Sequence, residues 1–227
     1  MAEFRAKVVV SSRKADACEE AAAKITAAGG TALAQAANIG DKAALQALVD
    51  RTLSEWGRID ILVCNAAINP HFGSLSTIED AVFDKVMATN VRSNLWLCNM
   101  VLPQMAEHKD GAIIIISSIA GLKGNSMLGA YGISKAADFQ LVRNLAVEWG
   151  SKNIRINAIA PSIIRTDFAR RLWEDPEIYK RAVARYPLGR IGEPDDVAGA
   201  AIFLASRAGA FVTGQVIVVD GGVTIAE

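Results

Sequence analysis

Short, mostly apolar runs alternate along this chain with longer stretches of helical spacing. Residues 7–11, 59–64, 112–116, 154–159 and 215–219 are predominantly apolar segments, and residues 31–36 form a weaker one. A half-exposed strand would alternate apolar and polar residues, so continuous runs such as the four isoleucines ending at Ile116 predict strands covered on both faces. Between them, helices are predicted over residues 15–28, stopped by Gly29-Gly30, and over 41–56, capped by Asp41 and stopped by Gly57. Ser76 and Glu79 have capping-box spacing and predict a long helical stretch from Ile78 to about Glu107. Further helices are expected from about Leu128 to Trp149 and from Pro194 to Ala205. Strand and helix in regular alternation predict one α/β domain over residues 1–227, a Rossmann-like, doubly wound parallel sheet. Only the mixed segment at residues 161–190 breaks the rhythm.

Composition narrows the partners. Lys+Arg and Asp+Glu balance at 24 each, with no basic run, which argues against nucleic acid or an anionic membrane as partner. Cys18, Cys64 and Cys98 lack any C-x-x-C spacing and suit structural thiols in a reducing compartment. With only His71 and His108, a His-based metal site or a Ser-His-Asp triad has little material, so no metal is expected. No run approaches the ~20 apolar residues of a membrane span. These features predict a soluble cytoplasmic protein.

In open parallel sheets, ligands bind beyond the carboxyl ends of the strands. Those ends carry polar residues that a core does not need: Ser11-Ser12-Arg13, Asn65, Ser117-Ser118 and Pro161-Ser162. Tyr131 and Lys135 lie one helical turn apart on one face. A free phenol titrates near ~10, and an ammonium one turn away favours phenolate, so this pair suits proton exchange. Ser118, thirteen residues before Tyr131, could hold a substrate oxygen.

As a set, Asn65-Ala66-Ala67, Asn90 in Thr-Asn-Val, Ile-Ser117-Ser118, Tyr131…Lys135, Asn157-Ala-Ile-Ala-Pro161 and Val-Asp220-Gly221-Gly222 resemble the short-chain dehydrogenase/reductase family from about Lys7 to Gly222. The resemblance implies that Ser118 orients substrate, Tyr131 is the general acid/base, and Lys135 lowers its pKa and binds the nicotinamide ribose. It implies that Asn90 supports a proton-relay water. It further implies cofactor contacts at Asn65, Ala66, Pro161, Ile164 and Thr166, and a substrate lid over about residues 162–190. The segments from Cys64 to Ser74, Arg171 to Asp175 and Arg190 to Asp196 are similar to the NADP-retinol dehydrogenase/carbonyl reductase branch, whereas the end Thr-Ile-Ala-Glu227 is no peroxisomal address. NAD sites place a carboxylate after the second strand and NADP sites an arginine. Here Ser12-Arg13-Lys14 precedes the first acid, Asp16, which predicts NADP(H) over NAD(H). Ser162 after Pro161, Ala67 and Asn38 depart from the family's usual Gly, Gly and Asp.

The family's T-G-x-x-x-G-x-G turn is missing. Residues 1–7 resemble the tail of the helix that follows it, with Arg5 where a helix-ending glycine is expected. The sheet is therefore expected to lack its first strand, and roughly two dozen upstream residues would complete the βαβ unit. The expected function is hydride transfer between NADP(H) and a small alcohol/carbonyl substrate. The alternatives are a 3-oxoacyl-[acyl-carrier-protein] reductase and a catalytically weak remnant or scaffold subunit. Relatives of this kind imply a homotetramer or homodimer built through the two long helices and the last strand.

Overall fold

The computed structural model describes residues 1–226. In chain order the strands are β1 (Lys7–Val10), β2 (Thr31–Ala34), β3 (Ile61–Cys64), β4 (Gly111–Ile116), β5 (Ile154–Pro161) and β6 (Val216–Val219). The helices are α1 (Ala15–Ala27), α2 (Lys42–Trp56), α3 (Asp80–Met87), α4 (Ser93–His108), α5 (Gly129–Trp149), α6 (Pro176–Val183) and α7 (Pro194–Ala205). Every strand pairing is parallel. The expected cap of α2 forms: the Asp41 carboxylate accepts from the Ala43 and Ala44 amides, and Gly57 ends the helix at φ 76°.

β4 shows why the isoleucine run is continuous. Successive side chains point to opposite faces. Ile113 and Ile115 join a core built with α2, α4 and α5, while Ile114 joins a second core with Leu204 and Ala201 of α7. Helices thus cover both faces, as doubly wound folds require. No helix among the described residues is long and apolar enough to cross a membrane.

The sheet is divided. β1 pairs only with β2, and β3–β4–β5–β6 form a separate ladder in that order. One edge of β1 and one edge of β3 therefore meet no strand among the described residues. Here the β1 side chains are exposed or half-buried and Val63 of β3 is 37% exposed. Arg5 does take the left-handed conformation, φ 66°, closing a 3-10 turn at Ala2–Phe4.

The segment after β3 corrects the helix expected from Ile78. Ser76 does not cap it, because its hydroxyl bonds that of Ser74 and Ser74 heads a 3-10 turn over Leu75–Thr77. Glu79 is the N-cap of α3 and makes no side-chain cap bond. The helix is then interrupted by a π-turn at Ala88–Arg92 before α4 continues it. That turn carries Asn90 inward, fully buried.

Candidate active site

The carboxyl end of β4 and the first two turns of α5 meet at the centre of the larger sheet. Ser118 follows β4 and caps a short 3-10 turn, its hydroxyl accepting from the Ala120 amide at 3.1 Å. The same hydroxyl lies close enough to the Tyr131 phenol to lower its pKa. The Lys135 ammonium, buried to 1% exposure, stands 5.7 Å from the centroid of the Tyr131 ring. Ser118, Tyr131 and Lys135 are therefore brought together.

Burial dominates their electrostatics. The phenol is pushed up to about 12, first by burial; the Ser118 hydrogen bond lowers it and the nearby Asp138 carboxylate raises it further. The Lys135 ammonium is held in place: Nζ donates to the Ile116 carbonyl at 3.0 Å and to Asp138 Oδ2 at 3.1 Å. Asp138 is itself fully buried, and burial raises its pKa against the opposing pull of Lys135, Asn94 and Ser117.

The Asn90 side chain is engaged by three hydrogen bonds. Its Oδ1 accepts from the Ile68 amide at 2.8 Å, and its Nδ2 donates to the Ile68 carbonyl at 2.9 Å and to Ser134 Oγ at 3.0 Å. This side chain splints the loop after β3 to α5. The Asn90 main-chain carbonyl accepts from Asn94 Nδ2 at 2.7 Å, so that group too has a protein partner.

The remaining expected residues lie on strand ends along the same edge. Ser12 and Arg13 are exposed after β1, and Asn65 and Ala66 are exposed after β3. Pro161 closes β5 and is buried, with its carbonyl end leading into the segment at 162–190. There Ile164 bridges Gly192, and the Thr166 carbonyl accepts from Trp173 Nε1 at 3.0 Å. Phe168, 62% exposed, lies with its ring centroid 6.2 Å from that of Tyr131. Trp173 thus pins the segment while Phe168 presents apolar surface beside the phenol.

Sequence reasoning missed Asp138, Asn94, Ser134 and Phe168. Asp138 was within reach: it lies three residues after Lys135, on a face shared with Tyr131 and Val142, where a carboxylate is out of place among inward residues. The cysteines are all free and buried. The Cys64 thiol is held well above its ordinary range by Cys98 beside it and by burial, which makes it unreactive.

A nicotinamide cofactor fits part of this edge. An ammonium has three donors, and Lys135 uses two of them on the protein, leaving one for a ribose hydroxyl. The N-terminus of α1 has no side-chain cap and opens directly after Arg13 and Lys14, an arrangement suited to an anionic group.

Comparison with known proteins agrees with this geometry. A family model described as enoyl-(acyl carrier protein) reductase matches residues 1–224. The bovine (Bos taurus) dehydrogenase/reductase SDR family member 4 is 39% identical over 222 residues, 98% of this chain and 80% of that protein. The human mitochondrial dehydrogenase/reductase SDR family member 2 is 37% identical over 97% of this chain and 79% of its own length. Among solved structures, a gluconate 5-dehydrogenase from Burkholderia cenocepacia in complex with NADP and tartrate superposes with a TM-score of 0.93 at 30% identity, over 100% of this chain and 88% of that one. A 7α-hydroxysteroid dehydrogenase with NADH and 7-oxo glycochenodeoxycholic acid superposes equally well, TM-score 0.93, at 38% identity over 98% of this chain and 86% of its own.

Proposed function

This chain belongs to the short-chain dehydrogenase/reductase family, and from that premise we propose that it reduces a carbonyl group with NADPH, Tyr131 delivering the proton. Membership makes it an oxidoreductase of alcohol/carbonyl substrates with a nicotinamide cofactor. The observation that carries the finer reading is the meeting of Ser118, Tyr131 and Lys135 where β4 ends against α5.

In this reading the Ser118 hydroxyl donates a hydrogen bond to the substrate oxygen and holds it against Tyr131. The phenol, kept protonated by burial, donates its proton to that oxygen as negative charge develops there. Lys135 holds the nicotinamide ribose through its remaining N–H, and Ile164 and Thr166 flank the nicotinamide end. Asn65 and Ala66 lie along the adenosine side. Pro161 directs the chain away from the cofactor into the lid. When bound, the cofactor supplies the hydride. Asn90 supports the site by fixing the loop after β3, and any relay water would be held at its main chain, because its side chain is fully engaged.

Arg13 favours NADPH. It is exposed after β1, and the nearest following carboxylate is Asp16, already inside α1. A guanidinium there recognises a 2′-phosphate, where a carboxylate would select a 2′-hydroxyl. The apolar surface at Phe168 suits a substrate whose carbonyl sits on a hydrocarbon body. Self-association as a homotetramer or homodimer belongs to the same proposal, supported by exposed Phe211, by Val218 on β6 and by Ile225.

The test follows NADPH absorbance during reduction of a panel of ketones, aldehydes and a 3-oxoacyl thioester. Turnover of simple carbonyls should fall at least ~100-fold in Tyr131→Phe. Undiminished turnover in that variant would overturn the assignment, and exclusive turnover of the thioester would move the substrate class to acyl carriers.

A further inference from the structure

The mixed segment that interrupts the strand–helix rhythm leaves the ladder after β5 and returns to it before α7. Its two legs are tied together at the base. The Arg165 amide donates to the Gly192 carbonyl at 2.9 Å, and the Gly192 amide donates to the Ile163 carbonyl at 3.0 Å. Between the legs lie a 3-10 turn at Asp167–Leu172 and α6, and among the described residues neither buries a side chain. Without apolar burial of its own, this excursion is held in place by a few specific contacts.

The Arg165 side chain supplies three of them. Its Nε donates to Glu193 Oε1 at 2.9 Å, and its guanidinium carbon lies 5.4 Å from the Trp173 ring centroid and 5.6 Å from that of Tyr179. Glu193 is the N-cap of α7, whose Ala201 and Leu204 belong to the second core, so this carboxylate sits on the body of the fold. Trp173 follows the 3-10 turn and Tyr179 lies in α6, so both rings ride on the excursion. One cation therefore joins the body to both parts of the lid. Phe168, between Arg165 and Trp173 in the chain, has its ring centroid 6.2 Å from that of Tyr131.

We propose that Arg165 is a positioning residue that latches the lid: its guanidinium, paired with Glu193 and lying over Trp173 and Tyr179, holds Phe168 beside the Tyr131 site and so sets the affinity for the carbonyl substrate. The inference rests on the proposed reduction at Tyr131 and names what keeps the substrate's cover in place. Shape matters here as well as charge. A planar guanidinium meets a carboxylate with its edge while its faces meet rings, and a compact ammonium does not. The pair with Glu193 is exposed and by itself holds little. The two rings bring the latch to about a factor of ten in the closed-to-open ratio of the lid.

Limited trypsin digestion tests the latch without cofactor or turnover, because Arg170, Arg171, Lys180, Arg181 and Arg185 all lie on the lid. Cleavage at these sites in Arg165→Gln should run about tenfold faster than in the native protein, with circular dichroism and cleavage elsewhere in the chain unchanged. Arg165→Lys, which keeps the charge and loses the plane, should fall between the two. In turnover with NADPH, Arg165→Gln should raise KM for the carbonyl substrate roughly three- to tenfold, with kcat and KM for NADPH held within about twofold. Native cleavage rates in Arg165→Gln, or an acceleration shared equally by the rest of the chain, would overturn the latch. Faster lid cleavage with an unmoved substrate KM would overturn the positioning role. Should Arg165→Gln fail to fold, Tyr179→Leu, which removes one ring and keeps the ion pair, decides by the same cleavage assay. Faster lid cleavage in a protein without carbonyl turnover would leave the latch standing and remove the proposed activity; turnover with native cleavage rates would do the reverse.

Discussion

Asn90→Ala measures what the π-turn contributes. The native side chain accepts from the Ile68 amide at 2.8 Å and donates to the Ile68 carbonyl at 2.9 Å and to Ser134 Oγ at 3.0 Å. Truncation removes all three bonds. Ser134 keeps its donor bond to the Tyr131 carbonyl at 2.7 Å, so the two main-chain groups of Ile68 bear most of the loss. Each orphaned group costs ~1–3 kcal/mol, and Ile68 is only half-buried, so some water re-enters and the expected loss is ~2–4 kcal/mol. Against a total of ~5–15 kcal/mol that is a large fraction. Urea unfolding followed by circular dichroism should show a lower midpoint with an unchanged slope. Ser134→Ala, which deletes the longest of the three bonds, supplies an internal scale and should cost less than Asn90→Ala. If Asn90→Ala loses under ~0.5 kcal/mol, within the range of an ordinary surface change, the splint between Ile68 and α5 is not stabilising and the reasoning fails.

Two further outcomes follow from the site. The Tyr131 phenol lies near 12 in the folded protein against 10.0 for an ordinary tyrosine, so between these values the folded chain keeps a proton that the unfolded chain has lost. Stability should therefore be unaffected below pH ~10 and fall by ~2–3 kcal/mol as pH rises toward 12, a component absent from Tyr131→Phe; equal pH slopes for the two proteins in urea midpoints would contradict it. Arg13→Ala should lower kcat/KM for NADPH by ~10–100-fold, the value of a charge-assisted bond to phosphate, and leave NADH nearly unchanged; equal losses with both cofactors would remove Arg13 from the 2′-phosphate site.

Local chemistry was legible in this chain wherever a short-range rule decided the outcome. Asp41 and Gly57 bracket α2 because a cap and a left-handed stop act within one turn, and Arg5 stands at a helix-ending position because the chain must reverse there. The continuous isoleucines of β4 follow from cover on both faces. The capping-box reading of Ser76 and Glu79 failed because Ser74 claims the Ser76 hydroxyl, a competition between neighbours that spacing cannot rank. The π-turn at Ala88–Arg92 was invisible, since it exists to deliver Asn90 to Ile68, a partner twenty-two residues away. At the site, Tyr131 and Lys135 were read as a pair in which the ammonium acts on the phenol. Fixed spacing places both on one face of α5, and the ammonium's two further partners, Asp138 and the Ile116 carbonyl, emerge only once α5 has docked on β4.

The division of the sheet bears on how this enzyme would hold a dinucleotide. Arg13 rides on the two-stranded β1–β2 ribbon, while Asn65, Ser118, Tyr131 and Lys135 ride on the four-stranded ladder and its helices. No main-chain rungs join the two platforms among the described residues, so their spacing rests on side chains, including Ile39, which follows β2 and packs with α2 against the larger core. A molecule that grips the ribbon with its phosphate and the ladder with its ribose would touch both platforms at once, so that part of its binding energy would go into their alignment.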